Sequence, residues 1–152
     1  MSDKKILILY GTETGNSELL AMDAEKLAND LEFDVTVNGM DEITLSDMQD
    51  NGNVLIVCST WGDGEQPDNA IDLYESVEGS DDASMSGVGF AVLALGDTAF
   101  DLFCEAGIQW DNILQEKGGN RISERIDCDV DYEDDAEAWI EDTLNLFKET
   151  WK

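Results

Sequence analysis

A chain of 152 residues with 42% hydrophobic content has the size of one average domain and can bury a full core without disulfides or metals. Its charge is extreme, with 36 Asp and Glu against 8 Lys and Arg, formally −28, and no histidine at all. Such a field repels nucleic acid and anionic membrane surfaces. The missing imidazole speaks against the common zinc and iron centres and against histidine-based catalysis.

In chain order, Lys4-Lys5-Ile6-Leu7-Ile8-Leu9-Tyr10 is a nearly continuous apolar run, the pattern of a strand buried on both faces of a parallel sheet. It feeds directly into Gly11-Thr12-Glu13-Thr14-Gly15-Asn16-Ser17. Leu20, Ala24, Leu27 and Leu31 then mark one face of an amphipathic helix. Strand, hydroxyl- and glycine-rich turn, helix is an arrangement that cradles phosphate, because the free amides and the macrodipole of a helix N-terminus favour an anion. Thr12, Thr14 and Ser17 add hydroxyl donors. Gly15 is followed by Asn16 and not by the lysine of a nucleotide-hydrolysing loop, and no G-x-G-x-x-G fingerprint occurs. A monophosphate held by neutral donors fits best, although Ser, Thr and Asn also begin helices that bind nothing.

A second strand is expected over residues 34–38, followed by a connection over 39–53 with a short acidic helix at 45–48. The third strand, 54–58, ends in Cys58-Ser59-Thr60-Trp61-Gly62-Asp63-Gly64-Glu65, which places a large indole on a loop at a strand's carboxyl end. Ala70, Leu73, Tyr74 and Val77 fall at helical spacing after Pro67, a helix-start signal, and residues 78–86 read as a surface loop. The fourth strand, 87–95, runs into Gly96-Asp97-Thr98-Ala99-Phe100, and a helix follows with Leu102, Phe103, Ala106, Trp110 and Ile113 on its inner side. Gly118-Gly119 ends that helix, residues 121–128 read as one charged fifth strand, and a final helix carries Ala136, Trp139, Ile140, Thr143, Phe147 and Trp151 at regular spacing. Trp110, Trp139 and Trp151 are expected to be packing residues.

The alternation is β-α throughout, which predicts an α/β fold: a doubly wound, five-stranded parallel sheet in the order 2-1-3-4-5 with helices on both faces. The three unusual loops follow strands one, three and four, the strands around the switch point where open α/β sheets bind ligands. Cys58, Cys104 and Cys128 form no close pair, and neither a secretory leader nor an apolar run of membrane-spanning length occurs. The expectation is a cytoplasmic protein whose reduced thiols act as small buried hydrophobes.

From end to end the chain resembles flavodoxin, and the resemblance is strongest in these three loops. Tyr10-Gly11-Thr12-Glu13-Thr14-Gly15-Asn16-Ser17 is similar to the family's phosphate-binding loop for FMN. Ser59-Thr60-Trp61-Gly62-Asp63 resembles the loop whose aromatic ring covers one flavin face, and Leu95-Gly96-Asp97-Thr98-Ala99-Phe100 through Phe103-Cys104 resembles the loop covering the other. The absence of a long insertion in the fifth strand resembles the short-chain subgroup. Gly64-Glu65-Gln66-Pro67-Asp68-Asn69-Ala70 is closer to the flavodoxin-like domains of diflavin reductases, such as the sulfite reductase flavoprotein. No reductase domain follows residue 152, so the resemblance implies a free-standing carrier with residues 1–152 as a single flavodoxin-like FMN-binding domain.

The resemblance also implies roles. Thr12, Thr14 and Ser17 bind the FMN phosphate with the amides from Glu13 through Gly15 and Asn16 to Ser17, and Thr60 contacts the phosphate or ribityl chain. Trp61 and Phe100 sandwich the isoalloxazine, with Phe100 in place of the family's commoner tyrosine, and Asp97 bonds the pyrimidine edge. Ser59, Asp63, Gly64, Leu95, Gly96, Phe103 and Cys104 complete the loops. The Gly62 carbonyl accepts a bond from protonated N5, which stabilises a neutral semiquinone. Asp63, Glu65, Asp97 and Asp101 resist the negative charge of the fully reduced flavin.

The function implied is a low-potential one-electron carrier, shuttling non-covalently bound FMN between semiquinone and hydroquinone. Its partners are basic redox proteins, a reductase as donor and an oxidoreductase as acceptor, with no nucleic acid or membrane, and the carrier itself is monomeric. An FMN-dependent NAD(P)H:quinone oxidoreductase on the same fold is the enzyme alternative. A flavin-free receiver-type module is the third, and it lacks the acidic pair expected after strand one, where Thr12 and Thr14 flank a lone Glu13. The acidity suits an electron carrier and a partner-docking protein equally, with adaptation to a saline cytoplasm as a blander contributing cause compatible with either.

Overall fold

The computed structural model describes residues 5–11, 16–59, 66–96, 104–129 and 133–149. Strand β1 (Lys5–Gly11) buries Ile6, Leu7, Ile8 and Leu9 consecutively, as a strand must when both its faces are covered. Period-two alternation then divides the interior. Leu7 and Leu9 join one core with Val54, Ile56, Phe90, Val92 and Trp110, while Ile6 and Ile8 join a second with Leu55, Val57, Ala91, Leu93 and Ile140.

Parallel pairing sets β2 (Asp34–Gly39) and β3 (Asn53–Ser59) on either side of β1, and β4 (Gly89–Leu95) beyond β3. With β5 (Asn120–Arg121) beyond β4, the order is β2-β1-β3-β4-β5, the doubly wound arrangement expected. Helices α1 (Asn16–Asp30) and α5 (Glu133–Glu149) fill the second core with Leu20, Ala21, Ala24, Ala28, Leu144 and Phe147. Helices α2 (Leu45–Asn51), α3 (Ile71–Glu78) and α4 (Glu105–Glu116) close the first with Met48, Leu73, Val77, Ala106 and Leu114. Helix α4 lies tight on β4 because Gly107 faces Ala94: a Cβ added there would stand 2.2 Å from the Ala94 Cβ.

Several expectations are corrected. The fifth strand is not one run over 121–128 but two pieces, β5 (Asn120–Arg121) and β6 (Ile126–Cys128), both paired in parallel with β4. The reason is the charge within it. Arg121 bonds Asp111 of α4 in bidentate fashion at 2.9 and 3.0 Å, and Arg125 reaches the same carboxylate at 2.9 Å. The Ile122 amide still bonds the Phe90 carbonyl at 2.8 Å, and beyond it the two guanidinium groups converging on one carboxylate draw residues 123–125 out of the ladder, the Trp139 indole closing the bend with a 3.0 Å bond to the Glu124 carbonyl.

Helix α2 runs on to Asn51, three residues past the expected end, and β2 and β3 are each slightly longer than expected. The segment after α3 is not surface throughout, since Met85 is fully buried. Trp110 is fully buried as expected, whereas Trp139 is half-buried at the edge of the second core. Lys4, Leu102, Phe103 and Trp151 lie outside the described residues.

Thr143, on the inner face of α5, is fully buried with its hydroxyl unpaired. A buried hydroxyl without a partner costs stability, and valine matches its shape with a similar helix propensity. Thr143→Val is therefore expected to stabilise the protein by about 1 kcal/mol. Urea unfolding would show it as a raised midpoint with an unchanged slope.

Candidate functional site

The registers Gly11↔Cys58 and Ser59↔Leu95 bring the carboxyl ends of β1, β3 and β4 side by side along one edge. From these ends depart residues 12–15, 60–65 and 97–103. Of the residues expected in the site, Asn16, Ser17, Ser59, Leu95, Gly96 and Cys104 are described. Thr12, Glu13, Thr14, Gly15, Thr60, Trp61, Gly62, Asp63, Gly64, Asp97, Phe100 and Phe103 lie outside the described residues, as do Thr98, Ala99 and Asp101.

The described residues form the frame of the site. Ser17, in the first turn of α1, is fully buried, and its hydroxyl shares a 2.6 Å hydrogen bond with that of Ser59 at the end of β3. This contact joins the segment after β1 to the segment after β3. It uses only one of the two hydroxyl hydrogens, and the accepting hydroxyl is polarised by its neighbour into a better donor. Asn69 ties the chain beyond the second segment back to the first, its amide donating to the Tyr10 carbonyl at 3.2 Å.

The third segment returns to its own starting point. The Gly96 amide donates to the Cys128 carbonyl at 2.9 Å, and a Cβ at Gly96 would lie 2.7 Å from the Cys104 nitrogen, so only glycine permits this approach. Cys104 itself adopts φ 58°, and its thiol points back to the Ala94 and Cys128 carbonyls at 3.5 and 3.6 Å.

Two residues at this edge drew no chemical role from the residue pattern: Gln66, which bonds α4, and Asn69. Their signal was slight, two side-chain amides in a stretch dominated by acids and glycine.

Burial governs the titratable groups here. It raises the Cys58 thiol far above its ordinary range. Burial, with the Asp127 carboxylate nearby, raises Cys104 to about 12. Burial, with Asp135 and Asp127, raises Cys128 to about 11. Tyr10 is pushed up to about 12, first by burial and then by donating its hydroxyl to Glu18 at 3.1 Å. Among the described residues no cluster of His, Cys, Asp or Glu could hold a metal ion, and no helix is long and apolar enough to cross a membrane.

Against known proteins, residues 8–139 match the family described as flavodoxin. The chain belongs to the flavodoxin family. Within curated flavodoxin-like sequences, it is 41% identical over 146 residues to the sulfite reductase (NADPH) flavoprotein alpha-component of Bacillus subtilis strain 168, a match covering 96% of this chain and 24% of that one. The corresponding protein of Vibrio parahaemolyticus is 36% identical, with 96% and 23% covered. The chain thus spans about a quarter of the length of the curated relatives it matches.

Among solved structures, the flavodoxin of Streptococcus pneumoniae TIGR4 superposes with a TM-score of 0.86 at 27% identity, covering 95% of this chain and 98% of that one. Oxidised flavodoxin 2 from Bacillus cereus gives a TM-score of 0.81 at 29% identity, covering 97% and 99%.

FMN is the cofactor that flavodoxin membership assigns to the chain. The frame fits it. A phosphate monoester suits a helix N-terminus furnished with neutral hydroxyls, which Ser17 and Ser59 supply.

The thiols give a check on this frame. Thiolate is the reactive form, so buried cysteines with raised pKa values are expected to resist an aromatic disulfide reagent at pH 8 in the native protein, and all three to react once it is denatured. Because the folded state holds these protons more tightly than the unfolded chain, the thiols' contribution to stability is constant below about pH 9 and is lost as pH rises toward 11. Chemical denaturation across that range checks the sign.

Proposed function

We propose that this chain is an electron-transfer module that carries electrons singly, at low potential, on non-covalently bound FMN, and performs no substrate chemistry with its own side chains. The observation that carries the reading is the Ser17–Ser59 hydroxyl pair, a neutral donor set between two strand ends at the switch point. When bound, FMN supplies a centre that gains and loses electrons one at a time.

In this reading Thr12, Thr14 and Ser17, with the amides of residues 13–17, bind the phosphate, and Thr60 contacts the phosphate or ribityl chain. Trp61 and Phe100 exclude water from the two ring faces. Asp97 bonds the pyrimidine edge, and the Gly62 carbonyl takes a hydrogen bond from the ring's N5 position. Ser59, Asp63, Gly64, Leu95, Gly96, Phe103 and Cys104 shape the three segments. Asp63, Glu65, Asp97 and Asp101 add like charge, which opposes further reduction and lowers the potential.

Residues 1–152 act as a single domain in the cytoplasm, receiving electrons from a reductase and delivering them to a basic oxidoreductase. The formal charge of −28 supports this, since a strongly acidic surface steers basic proteins toward itself. The similarity to flavoproteins named for NADPH sulfite reductase supports a place between a nicotinamide-dependent donor and a terminal acceptor.

Anaerobic reductive titration, after identification of the released cofactor, tests the reading. FMN reduced in two resolved one-electron steps is the expected result, with electron transfer to a basic acceptor protein slowing as salt is added. A single two-electron step driven directly by NADPH would favour a quinone oxidoreductase, and failure to bind FMN would overturn the reading altogether.

A further inference from the structure

Gln66 follows directly on residues 60–65, and its side-chain amide is held by four neighbours. Its Nε2 donates to the Ala106 carbonyl at 3.0 Å and to Gln109 Oε1 at 3.1 Å. Its Oε1 accepts from the Trp110 indole at 3.0 Å and from the Cys58 thiol at 3.6 Å. An amide has two donor hydrogens and two acceptor lone pairs; both hydrogens and one lone pair are used outright, and the second lone pair shares the single Cys58 thiol hydrogen with the Ser59 carbonyl, 3.4 Å from the sulfur. The orientation is not interchangeable, because an indole N–H only donates and a backbone carbonyl only accepts. Trp110 is itself fully buried, which makes it a rigid post.

The placement of these partners matters as much as their number. Cys58 precedes residues 60–65 on β3 and Gln66 succeeds them, so one amide joins the strand that begins the segment to the residue that ends it. Ala106, Gln109 and Trp110 belong to the first turns of α4, where residues 97–103 rejoin the fold. Pro67, buried with φ −58°, and the Asn69 bond to Tyr10 hold the chain immediately beyond. A single side chain therefore ties together the far ends of the two segments that carry Trp61 and Phe100.

We propose that Gln66 is a positioning residue for the flavin site: its amide, fixed by Trp110 and Ala106, restrains residues 60–65 and thereby sets both FMN affinity and the separation of the two one-electron potentials. The inference rests on the FMN reading above. Its physical basis is that a loop held at both ends loses less conformational freedom on binding and has fewer backbone states among which its energy can be spread.

The test compares the full chain with Gln66→Met, which keeps the length and removes every hydrogen bond, and with Gln109→Ala, which removes one acceptor from a half-exposed position. In the flavin-free protein, Gln66→Met is expected to speed amide exchange across residues 60–66 about tenfold, the size of a lost buried hydrogen bond. In the FMN-loaded protein the same variant is expected to weaken FMN binding about tenfold and to bring the two potentials closer, with Gln109→Ala shifting both in the same direction by less. Lower thermal stability with unchanged exchange, affinity and potentials would make Gln66 merely structural and overturn the proposal. Should Gln66→Met fail to fold, unchanged potentials in Gln109→Ala would overturn it equally. If the parent chain binds no FMN, the functional reading fails, while the exchange measurement still decides whether Gln66 restrains the segment.

Discussion

Asp111 is the one carboxylate buried among the described residues, and both arginines of the chain are committed to it. A carboxylate in that position without a partner would cost several kcal/mol, and in a protein of formal charge −28 cations are scarce. The far side of the sheet depends on how this charge is satisfied. Arg125 also bonds Asp127 at 2.7 Å, which leads the chain into β6, and β6 brings the Cys128 carbonyl to Gly96. An ion pair inside the protein is thus linked by covalent connection and backbone hydrogen bonds to the edge where the candidate site lies.

The other acids whose exposure is described lie at or near the surface, and the interior of the sheet is correspondingly apolar. Every residue of β4 is buried, with its two faces feeding separate cores. Cohesion of the fold comes from these layers, while the surface field governs encounters with other proteins. The two tasks share almost no residues, which is how a chain this acidic keeps a close-packed centre.

Legibility in the sequence followed the same division. The buried strands announced themselves as apolar runs, and strand order followed from the β-α alternation, because burial on two faces leaves a strong local signal. The fifth strand misled because its charges gave no sign of a shared partner, Asp111, which sits at a helix position that pattern alone gives no reason to bury. In the site, hydroxyls and glycines at strand ends were visible as a class, Ser17 and Ser59 among them. That those two would touch across 42 positions is a tertiary fact without a local signature. Gln66 is the same case, since the value of its amide lies wholly in four partners contributed by β3 and α4.

The near contact of Gly96 with Cys104 has a corollary for design. A stretch that leaves and re-enters a fold at almost one point behaves as a cassette, because a change of its length need not move the strands on either side. The two residues at its neck are constrained by the fold itself, one by the lack of room for a side chain and the other by its left-handed backbone. Grafting a foreign segment between positions 96 and 104 is thereby a route to retuning such a protein while its architecture stays untouched.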